Sequence, residues 1–384
     1  MLPGSPFLRL APWAHPKQLE TPCLYDARND DLYEVNDEGF RFLRQCDGSR
    51  RTADLAPDPE FLGTCREEGL LEELGEPAPR ALAPDAAAPT PSLRYLELQL
   101  TSRCNLACAH CCLGPSGTED LPLPSALSAL QQLEEMQGLR VFLTGGEPLL
   151  HPSFWELHER LDGFALRTVL LTNGHLVTPG VARRLRVHEV QVSLDGLEAG
   201  HDLLRGAGSY AKARSGLLAL RDAGMPVSVA TMVHRGNLGA FEAMAQDFEE
   251  LGVREWGVDV PCRAGRWVSR DDLAVTPGEA APCLGYAFGG SYHGQGSRDG
   301  CGLHLATVAP GGQVLRCGFF PEEPLGSLQE GLRAAWGRRK AWRLEGSRCA
   351  GCDVFGECGG GCRFRAGGEA DPDPVLCAAY GVEP

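Results

Sequence analysis

Six strand-like runs follow one another between residues 93 and 260, with helical stretches between several of them. The runs span 93–100, 139–145, 167–173, 189–195, 226–233 and 254–260. The helical stretches include 124–136, 152–161 and 210–223. Repeated alternation of this kind predicts an α/β domain of parallel strands joined by right-handed crossovers. In barrels built this way, the chemistry lies at the carboxyl ends of the strands.

A different pattern precedes this region. Two alternating runs, 21–26 and 32–36, flank a polar turn and predict a hairpin. Asn36 or Asp37 is placed to cap a helix that carries Phe40 and Leu43 and ends near Gly48. Short helices are expected at 52–55 and 59–68. Residues 1–75 are therefore predicted to form a small winged-helix-like module, for which a purely structural cap is the alternative. The Pro/Ala-rich stretch 76–92 predicts a linker.

The charge and the hydropathy exclude several classes of function. The chain has 36 basic and 51 acidic residues, a net charge of −15. This argues against binding to nucleic acid or to an anionic membrane surface, both of which need a basic face. No apolar run approaches the roughly 20 residues of a membrane span, and no signal peptide is evident. We therefore expect a cytoplasmic protein.

Sixteen cysteines are the most informative part of the composition. Cytoplasmic thiols stay reduced, so metal binding is a better explanation for them than disulfide bonds. Three of them come directly after the strand-like run 93–100. They are Cys104, Cys108 and Cys111, with the spacing C-x3-C-x2-C. Three thiolates on one loop can each bind one iron of a cubane and leave the fourth iron open. Zinc is the alternative, with Cys112 or His110 as a fourth ligand.

The end of the next strand reads Gly145-Gly146-Glu147-Pro148. The two glycines let the backbone approach a ligand closely, and the carboxylate can accept bonds from an ammonium group. Together with the cysteine loop, this motif resembles the radical S-adenosylmethionine (radical SAM) superfamily. The resemblance implies a partial (β/α)6 TIM-like barrel that binds S-adenosylmethionine on the open iron of a [4Fe–4S] cluster. It also implies that a 5′-deoxyadenosyl radical removes a hydrogen atom from the substrate.

The same resemblance implies where S-adenosylmethionine is bound. Gly145, Gly146, Glu147 and Pro148 would contact its amino group. Later strand ends would contact its carboxylate and ribose, and the matching positions are Asn173, Ser193, Asp195 and Arg205. Asn-Gly and Asp-Gly pairs are also routine turns. The family often has an aromatic residue beside the last cluster cysteine, whereas here His110 and Cys112 flank it, and neither is assigned as a ligand.

Seven further cysteines close the chain. Cys301, Gly312 and Cys317 have the spacing C-x10-G-x4-C, and four more follow as C-x2-C-x5-C-x3-C before Cys377. This order resembles the SPASM extension of radical enzymes that modify peptides and proteins, with a zinc ribbon as the alternative. The resemblance implies two auxiliary [4Fe–4S] clusters. The first would use Cys301, Cys317 and Cys362, and the second Cys349, Cys352, Cys358 and Cys377. Cys283 is a candidate fourth ligand of the first cluster, Asp299 a weaker one, and an open iron that meets substrate is the alternative. Residues 305–320 are expected to form a hairpin.

The N-terminal region resembles the peptide-recognition element of ribosomal-peptide maturation systems. Such modules bind an extended leader peptide along a strand edge, here near 23–26 or 32–35. The expected organisation is a recognition domain at 1–75, a linker at 76–92, a radical SAM barrel at 93–282 and a SPASM domain at 283–384. The expected partners are a precursor peptide and a reducing protein such as a flavodoxin or ferredoxin.

These patterns favour a peptide maturase that installs an oxidative crosslink, either thioether or carbon–carbon. The alternatives are a protein maturase that oxidises a side chain without crosslinking, an enzyme of cofactor or tetrapyrrole biosynthesis, and a non-catalytic iron–sulfur carrier or sensor. No catalytic base is assigned, and Asp259 is only a polar position at a late strand end.

Overall fold

The N-terminal region contains two three-stranded antiparallel sheets and three short helices. The structure is a computed structural model that describes residues 5–289, 301–340, 342, 344, 346–368 and 370–383. The strands are β1 (Phe7–Leu10), β2 (Ala14–Gln18), β3 (Pro22–Asp26), β4 (Asp31–Glu34), β5 (Asp47–Arg51) and β6 (Leu71–Leu74). The helices are α1 (Asp37–Leu43), α2 (Thr52–Leu55) and α3 (Pro59–Glu67). The strand orders are β2-β3-β4 and β5-β1-β6.

The predicted hairpin is confirmed as β3 and β4, and it has only one free side. β3 lies between β2 and β4, so of the two expected edges only the second, on β4, is an edge. Asn36 caps α1 by accepting a hydrogen bond from the Gly39 amide at 2.7 Å, as expected. The helix ends at Leu43 rather than near Gly48, which lies in β5. Gly48 has φ +92°, and a Cβ there would approach the Ala78 carbonyl oxygen to 2.4 Å.

All six predicted barrel strands are present and parallel. They are β7 (Tyr95–Thr101), β8 (Arg140–Gly145), β9 (Arg167–Thr172), β10 (Glu189–Ser193), β11 (Val227–Met232) and β12 (Glu255–Asp259). The helices of this region are α4 (Leu123–Glu135), α5 (Phe154–His158), α6 (Pro179–Arg184), α7 (Glu198–Arg205), α8 (Ser209–Asp222), α9 (Phe241–Leu251) and α10 (Pro277–Leu284). The neighbouring strands run in sequence order from β7 to β12, which is the arrangement of a partial barrel.

Each barrel strand has one face toward the helices and one toward the interior. On β7, the side chains of Leu96, Leu98 and Leu100 are fully buried in the main hydrophobic core. Because side chains alternate along a strand, Glu97 and Gln99 face the opposite way, into the barrel. The interior is therefore partly polar near the cysteine loop.

The C-terminal region continues the barrel sheet rather than starting a separate one. Its strands are β13 (Leu305–Val308), β14 (Gln313–Leu315) and β15 (Gly326–Ser327), and its helices are α11 (Leu332–Gly337), α12 (Phe355–Cys358), α13 (Arg363–Ala366) and α14 (Pro374–Ala379). β13 and β14 form the expected hairpin. β13 also pairs in parallel with β7, so that Thr307 lies opposite Glu97. Its hydroxyl donates to the Glu97 carboxylate at 2.6 Å.

The turn between β3 and β4 covers the amino ends of the barrel strands. Arg167, at the start of β9, donates to the carbonyls of Ala27 and Arg28, both at 2.8 Å. Its other nitrogen pairs with Glu189, and this ion pair is almost fully buried. Lys17 of β2 is fully buried and donates to the Gly138 and Ala165 carbonyls at 2.7 and 2.8 Å. The N-terminal module, residues 5–75, is thus docked on the end of the barrel opposite the cysteine loop.

Residues 76–92 contain no helix or strand but are held along their length. The Arg80 amide donates to the Asp47 carbonyl at 2.8 Å, and the Ala88 amide donates to the Gln18 carbonyl at 2.8 Å. Trp336 of α11 donates to the Pro91 carbonyl, also at 2.8 Å. The predicted linker is therefore an extended strap that touches the module and α11. None of the helices in the described ranges is both long enough and apolar enough to cross a membrane.

Candidate functional site

The cysteine loop, residues 102–114, begins where β7 ends and is joined to the end of β8. The Gly146 amide donates to the Thr101 carbonyl at 2.7 Å, and the Glu147 amide donates to the Arg103 carbonyl at 2.8 Å. A Cβ on Gly146 would lie 2.2 Å from the Arg103 oxygen, and one on Gly145 would lie 2.4 Å from the Thr101 oxygen. Both glycines are therefore required for the GGEP strand end to lie against the loop that carries Cys104.

Glu147 lies at the centre of this contact and is fully buried. Its carboxylate accepts hydrogen bonds from the Thr172 hydroxyl at 2.9 and 3.0 Å, the Asn173 amide at 2.9 Å and the Leu149 amide at 3.2 Å. Burial raises its pKa to about 7 against the opposing effect of these bonds. These donors already occupy the carboxylate, so an incoming ammonium group would have to share or displace them. Pro148 starts the short turn that follows.

Asn173, at the end of β9, makes a second connection to the cysteine loop. Its amide nitrogen donates to the Asn105 side-chain oxygen at 2.7 Å, and its own oxygen accepts from the His175 amide at 3.0 Å. The loop is thereby fixed to two adjacent strand ends. Sequence reasoning missed Asn105 and Thr172. Each is adjacent in the sequence to a predicted site residue, Cys104 or Asn173, and this was the only local signal for them.

Asp195 and Arg205 meet beside Cys108. Asp195 follows β10, and its buried carboxylate forms an ion pair with Arg205 at the end of α7. The Met232 amide also donates to this carboxylate, at 2.7 Å. Burial acts to raise the pKa of Asp195, but the Arg205 guanidinium outweighs it and holds that pKa far below its usual range. Ser193, two residues earlier, is half-buried at the end of β10.

The predicted cluster ligands Cys104, Cys108 and Cys111 are close enough to affect one another. Burial raises the pKa of Cys104 and Cys108, and the charge of Cys111 raises both further. Arg205 opposes this, because its guanidinium lies 3.9 Å from the Cys108 sulfur. Three neighbouring thiols beside a glycine cradle and a guanidinium fit an anionic cluster with one open iron.

His110 and Cys112 flank the last of these cysteines. The His110 Nε2 lies 3.3 Å from an Arg205 nitrogen, and its buried Nδ1 has no hydrogen-bond partner in the described part of the chain. Burial lowers the pKa of His110 to about 4, so the ring is neutral. Burial raises the pKa of Cys112 to about 12, with smaller contributions from Cys111 and Glu97.

The name first auxiliary group is used for four cysteines, Cys262, Cys301, Cys317 and Cys362, of which the last three are the ligands that the resemblance implies. The side chains of Cys262 and Cys301 both lie beside the sulfur of Cys362. These neighbours, Cys262 first, hold the pKa of Cys362 far below its usual value. Burial raises the pKa of Cys317 to about 12, and the charge of Cys362 adds to the effect.

Cys283 has different surroundings. It lies on α10, is buried in the main core, and its sulfur approaches the Glu279 carbonyl of its own helix at 4.0 Å. Asp299, the weaker candidate for the same role, lies outside the described residues. The sequence pattern gave no local signal for Cys262 except its position just after the last barrel strand.

The second auxiliary group lines a cavity of about 220 Å³. Cys349, Cys352, Cys358 and Cys377 all contribute to its wall, with apolar side chains such as Phe355 and Leu376 between them. Burial raises the pKa of both Cys358 and Cys377. In the described ranges, no three His, Cys, Asp or Glu side chains converge as one bound metal ion requires. A cubane is a larger body in which each iron takes a separate thiolate, and a cavity walled by four cysteines fits it.

The amino-acid sequence is similar to one family model and to several known proteins. The family model described as the radical SAM superfamily matches residues 98–248. Mycofactocin maturase MftC of Mycobacterium ulcerans is 31% identical over 332 residues, which cover 75% of this chain and 88% of the relative. AdoMet-dependent heme synthase of Nitratidesulfovibrio vulgaris is 29% identical over 231 residues, or 58% of this chain and 61% of the relative.

A solved structure shares the fold over nearly the whole chain. The crystal structure of Streptococcus suis SuiB bound to precursor peptide SuiA superposes with a TM-score of 0.73 at 13% identity. The match covers 96% of this chain and 99% of SuiB. At this identity the likeness shows a common fold, including the parts outside the barrel.

Proposed function

The chain belongs to the radical SAM superfamily, and on that premise we propose that it is a peptide maturase. It would bind the leader of a ribosomally made precursor and install an oxidative crosslink, thioether or carbon–carbon, in the core of that peptide. The observation that carries this proposal is the combination of three cysteine groups with a docked module that has an exposed strand edge. The name of the 31% identical relative and the peptide bound to SuiB support it.

Membership of the superfamily implies S-adenosylmethionine and one [4Fe–4S] cluster, and the residues present fit both. Cys104, Cys108 and Cys111 would hold the cluster, and the ends of β8, β9 and β10 would hold S-adenosylmethionine. When bound and reduced, this pair supplies a radical that removes a hydrogen atom from carbon. The two auxiliary clusters, on the first and second auxiliary groups, are part of the proposal.

The chain's own residues would position these groups. Gly145 and Gly146 keep the strand end tight against the cysteine loop. Glu147 ties β8 to β9 through Thr172 and Asn173. Arg205 places a positive charge beside the Cys108 sulfur, where a thiolate bound to an anionic cluster needs compensation. Asp195 keeps that guanidinium in place.

The N-terminal module would capture the leader along β4. This strand is exposed over most of its length and has no second neighbour in its sheet. A peptide added there would gain backbone hydrogen bonds, which give affinity with little dependence on sequence. A flavodoxin or ferredoxin would supply electrons, and a cytoplasmic location would suit the reduced thiols.

The deciding experiment uses the anaerobically reconstituted enzyme, S-adenosylmethionine, a reductant and a peptide encoded by a short neighbouring reading frame. We expect 5′-deoxyadenosine together with a product that has lost two hydrogen atoms, and fragmentation should locate the new bond. A product that has lost two hydrogen atoms without a crosslink would favour the side-chain-oxidising alternative. Iron without any 5′-deoxyadenosine would favour an electron carrier.

A second candidate function is supported by one comparison. The relative named AdoMet-dependent heme synthase matches over 58% of this chain, so a tetrapyrrole or another cofactor precursor is the alternative substrate class. The exposed edge of β4 has no use in that reaction. Turnover of a tetrapyrrole carboxylate in place of peptide would establish this alternative.

A further inference from the structure

Cys262 lies where the last strand of the barrel meets the C-terminal region. It follows the end of β12 by three residues and is 6% exposed. The spacing of the C-terminal cysteines does not include it, because its partners come some 40 to 100 residues later in the chain. Only the folded arrangement brings it to them.

Its sulfur belongs to the first auxiliary group. The side chain of Cys262 lies beside that of Cys362, and Cys301 lies beside Cys362 as well. Cys317 is within electrostatic range of the same sulfur. Four cysteine sulfurs therefore occupy one region, which is the number of thiolates that saturates a [4Fe–4S] cluster.

An ionic clamp fixes Cys262 relative to Cys362. Asp259, three residues before Cys262, forms an ion pair with Arg365, three residues after Cys362. Arg365 also pairs with the buried Asp373 at 2.8 Å, and the same carboxylate accepts a bond from the Cys362 amide at 2.8 Å. The two cysteines are thus held by a connected network and not by their thiol contact alone.

The segment that follows Cys262 lies directly against the cysteine loop. The Arg266 amide donates to the Cys111 carbonyl at 3.0 Å. Gly265 has φ +53°, and a Cβ there would lie 2.3 Å from the Cys111 oxygen and 2.6 Å from that of Cys112. A glycine is therefore required for this close approach. The segment from Cys262 to Arg266 therefore joins the first auxiliary group to the cysteine loop.

We propose that Cys262 is the fourth thiolate ligand of the first auxiliary cluster, in the place considered for Cys283. The inference rests on the proposed function only in assuming that this cluster exists, and it does not depend on the substrate. Four cysteine ligands leave no iron of this cluster open. The cluster would then transfer electrons and would not bind a substrate thiolate directly.

The test compares Cys262→Ala with Cys283→Ala in the full-length protein, reconstituted anaerobically and without peptide. Both residues are similarly buried, at 6% and 5% exposure, so the second variant controls for loss of a buried thiol. The wild type should hold about twelve irons, from three cubanes of four irons each. Cys262→Ala should lose about one iron, with a three-iron electron paramagnetic resonance signal, or about four irons if the cluster is lost. Cys283→Ala should match the wild type.

A full iron content and an unchanged spectrum in Cys262→Ala would overturn the proposal, as would equal losses in both variants. If Cys262→Ala does not accumulate, Cys262→Asp decides, because a carboxylate can still bind iron. It should keep the full iron content but shift the spectrum and the potential of one auxiliary cluster. A spectrum identical to that of the wild type would overturn the proposal.

These outcomes are separable from the fate of the proposed function. A wild type with only about four irons would mean that the protein has no auxiliary clusters. A wild type with about twelve irons that modifies no peptide would count against the maturase proposal alone.

Discussion

Arg205 and Asp195 form an ion pair beside the predicted cluster, with the carboxylate fully buried and the guanidinium 3.9 Å from the Cys108 sulfur. The pair joins the end of α7 to the end of β10 and reaches the cysteine loop between them. A buried carboxylate of this kind is stabilised only while its partner is present. The positive charge beside Cys108 therefore depends on the Arg205–Asp195 ion pair, which also fixes the end of β10.

Replacing Arg205 with Ala should destabilise the protein and stop cleavage of S-adenosylmethionine. Breaking a buried pair by removing one partner costs about 3–5 kcal/mol, because the other charge is left uncompensated. Unfolding by urea and the yield of 5′-deoxyadenosine measure the two effects. Arg221→Ala is the control, since that arginine pairs with Asp222 at the surface and its loss should cost under about 1 kcal/mol. Normal cleavage by Arg205→Ala would rule out a role at the cluster.

Replacing Cys104, Cys108 and Cys111 together with Ala should abolish 5′-deoxyadenosine formation, because no open iron remains. The auxiliary clusters should survive, so about eight irons should remain per chain. Cys65→Ala, at a buried cysteine of the N-terminal module, is the control and should retain all the iron. If the triple variant still cleaves S-adenosylmethionine, the cysteine loop is not the cluster site.

Glu34→Pro should weaken precursor binding if β4 is the docking edge. The Val35 amide donates to the Pro22 carbonyl at 3.0 Å, and inward and outward amides alternate in an antiparallel pair. The Glu34 amide therefore points away from β3, toward an added strand, whereas the Tyr33 amide points inward. Loss of one such hydrogen bond, about 0.5–1.5 kcal/mol, predicts weakening of about two- to tenfold.

Glu34→Ala keeps the amide and is the matched control for side-chain effects. Titration of a labelled precursor would compare the two variants with the wild type. Equal affinity in all three would make the N-terminal module a structural cap, and the function would then be a radical maturase without a leader-binding edge on β4.

The distance between leader site and cysteine loop should set a minimum spacer in the precursor. The N-terminal module lies at the starts of the barrel strands and the cysteine loop at their ends. A strand of six residues such as β9 spans about 20 Å, and an extended chain covers at most about 3.6 Å per residue. The leader anchor and the modified residue should therefore be separated by at least about six residues.

A precursor whose spacer is cut to about three residues should bind normally but yield no crosslink. A precursor lengthened by a similar number of Gly and Ser residues should remain a substrate. Mass spectrometry of both products, with binding measured in parallel, checks this. Full modification of the shortened peptide would mean that the leader does not dock on β4.

Lys17 should contribute a rise in the free energy of unfolding with pH between about 7 and 10. Burial lowers the pKa of Lys17 to about 7, whereas in the unfolded chain it is about 10.4. Between these values the unfolded chain binds a proton that the folded one does not, so the free energy of unfolding increases with pH. The slope is at most about 1.4 kcal/mol per pH unit.

Lys17→Met should remove this contribution, while Lys212→Met, on the exposed side of α8, should retain it. Urea unfolding of the anaerobic holoenzyme at several pH values measures the slopes. The same slope in Lys17→Met and wild type would mean that Lys17 remains charged in the folded protein.

Local sequence patterns predicted those features of the fold that depend on residues close together in the chain. The period-two runs gave all six barrel strands, and Asn36 marked the start of α1, because both signals lie within a few positions. β2 was missed, since Pro16 and Lys17 lack the usual strand pattern, and the buried Lys17 is paired with carbonyls of the barrel, far away in the sequence. Cys262 was missed for the same reason, because the Asp259–Arg365 clamp joins positions 106 residues apart. Long-range contacts of this kind leave no periodic trace in one sequence.

The turn at residues 27–30 affects how a substrate can enter the barrel and how a product can leave it. The turn is bonded to Arg140 and Arg167, at the starts of β8 and β9, and to Arg254, just before β12. We therefore expect that a peptide is not threaded along the barrel axis and out at this end. A substrate must enter by the mouth near the cysteine loop and withdraw by the same route. A chain terminus or a bent-back loop can do this reversibly. A newly crosslinked ring must be small enough to leave through the opening that admitted its open form.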